Sequence, residues 1–201
     1  ELQHRVRRQA RAQRGRDVVV GPVDHLVERF PERFEREVRL GDVGAQPASL
    51  PVAPARALDA ATGPVVLTVY GRVRKPNAGS AAQFDMAMLE QLAQHSFVTH
   101  TPWYATPRKF TGPLLRDVLA ACGAVGSNLR ATALNDYRVD LPLEDAQRFD
   151  VLMARLLDDK PMAVRDKGPL FIIYPFDSSA ELRNTVYYSR SAWQLKTIDV
   201  Q

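Results

Sequence analysis

From residue 65 onward the chain consists of short apolar runs, each closed by proline, glycine or an Asn-Asp pair. The runs VVLTVYGRV (65–73) and LFIIYP (170–175) are rich in β-branched and aromatic residues, which is typical of strands. Between them, Asp85 precedes a short helical pattern, and PLLRDVLAACG (113–123) predicts a helix that begins at Pro113 and ends at Gly123. Because short strands and helices are interspersed without a regular βαβ repeat, the sequence predicts an α+β fold.

Other elements follow from turn chemistry and apolar pattern. Residues 97–101 predict a short strand, and Pro102 through Lys109 predict a loop. Asn135-Asp136 predicts a turn between two strands. Residues 151–157 fit a strand or a helix equally well.

Composition divides the chain into three parts. Residues 45–64 contain seven alanines and four prolines, which indicates a linker. We therefore predict an Arg-rich tail with an amphipathic helix over residues 1–44, a linker over 45–62 and the main domain over 63–201. An artefact of gene-start assignment over residues 1 to about 50 is an alternative. No apolar run is long enough to cross a membrane.

The net charge of +4 is concentrated near the start of the chain. Residues 5–16 hold six arginines and no acid, so the remaining residues carry 21 basic and 23 acidic groups. This segment fits a solvated disordered tail or an arm that contacts phosphates or acidic lipid. For the main domain we expect no nucleic-acid partner. Apolar positions at helical spacing over residues 22–40 fit either a helix packed on the main domain or a partner-binding helix.

The cysteine and histidine content limits the metal chemistry. One cysteine excludes an internal disulfide and a multi-cysteine zinc site. Cys122 lies on the apolar face of its helix, so we expect a buried core residue and not a nucleophile. His95 and His100 are five residues apart around a strand and should face opposite sides, which disfavours a two-histidine metal site.

Two segments offer candidate ligand-binding groups. Arg165-Asp166-Lys167 fits an anion-binding rim or a solvated turn. Trp103 and Tyr104 could stack on a ligand or cap the core edge. His100 could line a pocket or lie on the surface.

The order of motifs resembles one family. The stretches ALNDYRVDLPLEDA (133–146), VLMARLLDDKPMAVRDKGPLFIIYP (151–175) and WQLKTIDV (193–200), with FTGPLLRDVLAACGA (110–124) upstream, are similar to the sulfite-oxidase-type molybdopterin-binding domain. The resemblance covers residues 63–201 and is nearest to a short bacterial branch of small secreted proteins. It implies that family's mixed fold of short strands and helices, molybdopterin as the cofactor, and a periplasmic or secreted protein.

Two positions depart from that family. Its enzymes bind molybdenum through a cysteine thiolate, whereas the matching stretch here, FVTHTPWYATPRKF (97–110), has none. Those enzymes also carry arginine after Gly-Pro-Leu, where this chain has Phe171. The donors left for a pterin phosphate are Arg108, Lys109, Arg165 and Lys167.

These observations favour a non-catalytic module that binds a small molecule or a protein partner in the former cofactor cleft, with no cofactor. The alternatives are a molybdenum-pterin oxidoreductase whose metal lacks a cysteine ligand, and an interaction protein that works through residues 22–40. By analogy with the family, the predicted ligand-binding residues are Thr99, His100 and Trp103 on one wall, Asn135, Asp136 and Tyr137 on a second, and Arg165 and Lys167 at the rim.

Overall fold

The computed structural model describes residues 58–201, which form short strands and helices with more sheet than helix. This mixture is compatible with the predicted α+β class. The α-helices are α1 (Met86–Gln91), α2 (Leu115–Ala121), α3 (Leu143–Arg148) and α4 (Thr185–Arg190). The predictions for the Arg-rich tail, the helix over 22–40 and most of the linker lie outside the described residues.

The largest sheet has five strands in the order β2-β1-β12-β5-β6. Its strands are β1 (Val65–Gly71), β2 (Ala82–Asp85), β5 (Asn128–Ala133), β6 (Arg138–Pro142) and β12 (Leu195–Val200). β1 and β12 run parallel, with Thr68 opposite Thr197, and the other pairs are antiparallel. Alternate residues such as Leu129 and Ala131 are buried, so one face of this sheet covers the core.

Two smaller sheets complete the described part of the chain. One has four strands, β3 (Gln94–Thr101), β4 (Tyr104–Pro113), β8 (Leu156–Leu157) and β9 (Lys160–Pro161), in that order. The other places β10 (Phe171–Ile173) between β7 (Leu152–Ala154) and β11 (Ala192–Trp193). All three residues of β7 and of β10 are buried, which agrees with the strand predicted for LFIIYP.

The predicted loop from Pro102 to Lys109 is wrong, because most of it belongs to β4. Pairing with β3 on one side and β8 on the other outweighs the polar local sequence. Pro107 lies between the paired residues Tyr104 and Arg108, where the register with β3 shifts, and a proline is tolerated at such an irregularity. The predicted helix start at Pro113 is also wrong, since that residue ends β4 and α2 begins two residues later.

A buried carboxylate, that of Asp145, joins several elements. Asp145 of α3 accepts hydrogen bonds from the Tyr174 hydroxyl at 2.7 Å and from the Arg190 guanidinium at 2.8 Å. Burial, together with Asp145, raises the pKa of Tyr174. The network therefore connects α3, the residue after β10 and α4 without leaving a buried charge unpaired.

Candidate functional site

A cavity of about 480 Å³ lies where β4, the β8–β9 hairpin and the residues before β10 meet. Four cations, one carboxylate, two aromatic rings and three apolar side chains line it: Arg108, Lys160, Arg165, Lys167, Asp166, Trp103, Tyr104, Leu157, Pro161 and Met162. A concave site with several convergent polar groups is the usual form of a small-molecule site.

The turn Asp158-Asp159 attaches the β8–β9 hairpin, which forms one side of the cavity, to β4. Both residues have positive φ, 48° and 62°, which tight turns require and which aspartate tolerates better than most residues. Asp158 accepts from the Lys109 backbone N–H at 3.0 Å, and Asp159 contacts the Lys109 ammonium at 2.8 Å. These bonds fix Leu157 and Lys160, which flank the turn, against β4.

Arg108 lies inside the cavity with one unused donor. Its terminal nitrogen forms an ion pair with Asp158, and its guanidinium carbon lies 5.2 Å from the centre of the Tyr104 ring. Its Nε is buried and has no hydrogen-bond partner in the described residues. An unpaired buried donor costs free energy, so this nitrogen is a polar group that the described residues leave unsatisfied.

Lys167 is held by its backbone and by aromatic rings. It has a φ of 75° and its carbonyl accepts from the Gln194 N–H at 3.0 Å. Its ammonium lies 4.6 Å from the centre of the Trp193 ring and 5.8 Å from that of Tyr104. These cation–π contacts fix the charge at the cavity without neutralising it.

The side chains of the other two cations, Arg165 and Lys160, are more exposed to solvent. Arg165 is 88% exposed, and its one ion pair in the described residues is with Asp166, at 3.5 Å. Lys160 is exposed and forms no ion pair within residues 58–201. Burial raises the pKa of the Tyr104 hydroxyl, which therefore stays protonated at neutral pH.

Trp103 is packed among aromatic neighbours and is only half-buried. Its ring centre lies 5.4 Å from that of Trp193, 5.6 Å from that of Phe171 and 6.2 Å from that of Phe176. Through these edge-to-face and tilted contacts Trp103 belongs to the edge of the core. The same side chain also lines the cavity.

Of the predicted ligand-binding residues, the structure brings Trp103, Arg165 and Lys167 together around this cavity. Thr99 and His100 do not line it. The Thr99 hydroxyl accepts from the Asp177 N–H at 3.1 Å, and Asp177 accepts from the backbone and ring nitrogens of His100 at 2.7 and 2.9 Å. These bonds fasten the end of β3 to the short helix Phe176–Ser178.

The three residues predicted for the second wall also lie outside the cavity lining. Asn135, Asp136 and Tyr137 form the turn between β5 and β6, where Asp136 has a φ of 63° and the Asn135 side chain accepts from the Tyr137 N–H at 3.2 Å. The turn itself was correctly predicted, but its side chains are not part of the cavity lining. As ligand-binding residues, the residues of these two walls remain predictions.

The sequence did not indicate that Lys160 and Met162 line the cavity, whereas Tyr104 was named with Trp103 as a residue that could stack on a ligand. Lys160 follows the Asp158-Asp159 turn that the sequence does reveal, but nothing local indicates that this hairpin folds back onto β4. His95 and His100 both lie within β3 and are exposed. No group of three His, Cys, Asp or Glu side chains suited to a metal ion occurs within residues 58–201.

The single thiol is unsuited to hold a metal at this cavity. Cys122 is fully buried at the end of α2, and its Sγ donates to the Leu119 carbonyl at 3.3 Å, which confirms the predicted core position. Burial raises its pKa to about 11. No cysteine lines the cavity, so its residues do not fit a metal that is bound through a thiolate.

A second cavity of about 360 Å³ lies beside β3. Its charged side chains are already engaged, since Arg148 pairs with Glu181 at 2.8 Å and Asp150 pairs with Arg116 at 2.8 Å. The first cavity is therefore the better candidate site.

Comparison with known proteins assigns no relative. No protein-family model matches the chain, and no curated protein matches it either. Among the described residues, none of the helices has the length and apolar character needed to cross a membrane.

Proposed function

We propose that this protein is a non-catalytic binding module that holds a small anionic molecule in the cavity formed by β4, the β8–β9 hairpin and residues 162–167. One observation carries the proposal: four cations and one carboxylate line a single cavity. A concave site lined mainly by one sign of charge concentrates ligands of the opposite sign.

The charges that remain after internal pairing support the same conclusion. Asp158 neutralises Arg108, and Asp166 lies beside Arg165. Lys160 and Lys167 have no carboxylate partner in the described residues, so their charge is available to a ligand.

The lining also supports binding without catalysis. Within the described part of the chain it contains no serine, cysteine or histidine, and the Tyr104 hydroxyl is kept protonated. The lack of a cysteine in the lining supports a binding module over a site that holds molybdenum through a thiolate.

The finer fold assignment is part of the same proposal. The ordered motifs from residue 110 to residue 200 support a sulfite-oxidase-like arrangement in which this cavity corresponds to the cofactor cleft. The same resemblance supports a periplasmic or secreted protein.

Isothermal titration of the full chain with inorganic phosphate tests the proposal. We expect saturable binding that weakens at least about tenfold in the double variant Lys160→Gln/Lys167→Gln, because the two cations without a carboxylate partner are lost. Arg72→Gln/Lys196→Gln is the matched control, since it removes the same charges from exposed positions outside the cavity. Absence of binding, or equal loss in both double variants, would refute the anion site.

Metal analysis of freshly purified protein, expressed in a host that supplies the cofactor, tests the non-catalytic part. We expect neither molybdenum nor pterin at stoichiometric amounts. Their presence at one equivalent would overturn this part of the proposal.

A further inference from the structure

We infer that the ligand of this cavity is a doubly charged oxyanion on a non-aromatic body, such as an aliphatic phosphomonoester, and not a flat aromatic anion. This inference rests on the proposed function, because it names the class of anion that the same cavity takes.

The aromatic rings at the cavity are already used by the protein's own groups. The Arg108 guanidinium and the Lys167 ammonium both lie over the Tyr104 ring, and Lys167 also lies over the Trp193 ring. The Trp103 ring packs against Phe171, Phe176, Tyr188 and Trp193. These contacts occupy part of the ring surface that a planar ligand would need for stacking.

The rings therefore act as supports for positive charge. A cation over an aromatic ring is attracted to the π-face while its outer N–H groups remain available. Tyr104 and Trp193 thus hold the two cations in place before a ligand arrives, which reduces the entropy lost on binding.

The charge of the ligand follows from the count of unpaired cations. After Arg108 pairs with Asp158 and Arg165 with Asp166, two positive charges remain, on Lys160 and Lys167. A dianion balances them. Phosphomonoesters are close to doubly charged at neutral pH and offer three acceptor oxygens, so both lysine ammonium groups can donate to the same head group.

The body of the ligand faces aliphatic surface. Leu157, Pro161 and Met162 form the apolar part of the lining, and Met162 is an adaptable side chain that accommodates irregular shapes. The volume of about 480 Å³ leaves space for more than a bare inorganic ion. The oxyanion head of such a ligand would contact the cations of the lining. Its short aliphatic body would contact the apolar side chains.

A pair of ligands with the same head group tests the inference on the unmodified full chain. Glycerol 3-phosphate and phenyl phosphate are titrated by calorimetry under identical buffer conditions. We expect phenyl phosphate to bind no more than about threefold more tightly, because stacking on free rings would add roughly fivefold or more. A larger preference for phenyl phosphate would overturn the inference and leave the proposed anion site standing, whereas binding of neither would refute both.

A substitution tests whether the rings hold the cations. Trp193→Leu keeps every charge but removes the ring under the Lys167 ammonium, and we expect it to weaken glycerol 3-phosphate binding by about threefold. Tyr70→Leu, an exposed aromatic position on β1, is the matched control. Unchanged binding in a folded Trp193→Leu protein, checked by circular dichroism, would show that the rings do not support the cations.

Discussion

At the scale of single residues, several side chains are placed by local rules that the sequence reveals. Asp85 is the N-cap of α1 and accepts from the Met88 N–H at 2.8 Å, as an aspartate before a helical pattern predicts. Cys122 is buried because its helix turns an apolar face to the core. Such positions are predictable because the interaction lies within a few residues along the chain.

Asp85 also gives a prediction for the pH dependence of stability. Hydrogen bonds from the backbone N–H groups of Met88 and Gly63 lower its pKa in the folded protein. Its contribution is therefore complete above the ordinary aspartate pKa and is lost as the pH falls through the lower folded value. We expect Asp85→Asn to be less stable than the parent protein at pH 7, with a difference that shrinks below about pH 4.

Urea unfolding at a series of pH values measures this difference. Asp59→Asn is a suitable control, because Asp59 is exposed and its side chain caps no helix. A stability difference between Asp85→Asn and the parent that stays constant from pH 7 to the acid limit would contradict the assignment.

At the scale of secondary-structure elements, β4 shows what local sequence cannot reveal. Its first half carries polar residues and a proline, which by themselves favour a loop. The strand exists because β3 and β8 pair with its two edges, and β8 lies more than 40 residues further along the chain. By contrast β5 and β6 were predictable, since they are joined by a short turn of favourable composition.

Gly112 of β4 marks the point where two sheets meet. A Cβ at this position would collide with the Met153 carbonyl oxygen and lie 2.9 Å from the Ala154 Cα, both in β7. We expect Gly112→Ala to lower the free energy of unfolding by about 1–3 kcal/mol, because backbone atoms of β7 must move. Urea denaturation measures the change.

Gly63→Ala is the matched control for that substitution. A Cβ at Gly63 would meet only ordinary contacts, the nearest at 3.5 Å from an Asp85 carboxylate oxygen. Its effect should stay within about 0.5 kcal/mol. Equal effects of the two substitutions would show that the approach of β4 to β7 is not close.

At the scale of the whole molecule, net charge is a poor guide to the site. Residues 63–201 carry 16 basic and 14 acidic side chains, so this part of the chain is nearly neutral. The fold nevertheless gathers four cations around one cavity from two separate stretches of sequence, residues 103–108 and 157–167. Trp103, Tyr104, Arg165 and Lys167 could be anticipated as candidate ligand-binding residues, whereas Lys160 could not, because its place depends on the long-range pairing of the β8–β9 hairpin with β4.

One of the two tryptophans, Trp103, lines the cavity, and the ring centre of the other, Trp193, lies 4.6 Å from the Lys167 ammonium, so tryptophan fluorescence reports on the charge at this site. Iodide and caesium are quenchers of opposite charge, and a cation-lined cavity attracts the first and repels the second. The measurement is the ratio of their quenching constants in the full chain and in Lys160→Gln/Lys167→Gln, which share the Arg-rich residues 5–16. We expect a higher iodide-to-caesium ratio in the unmodified protein, with the excess removed by added phosphate, whereas equal ratios in the two proteins would show that these cations do not form an anion site.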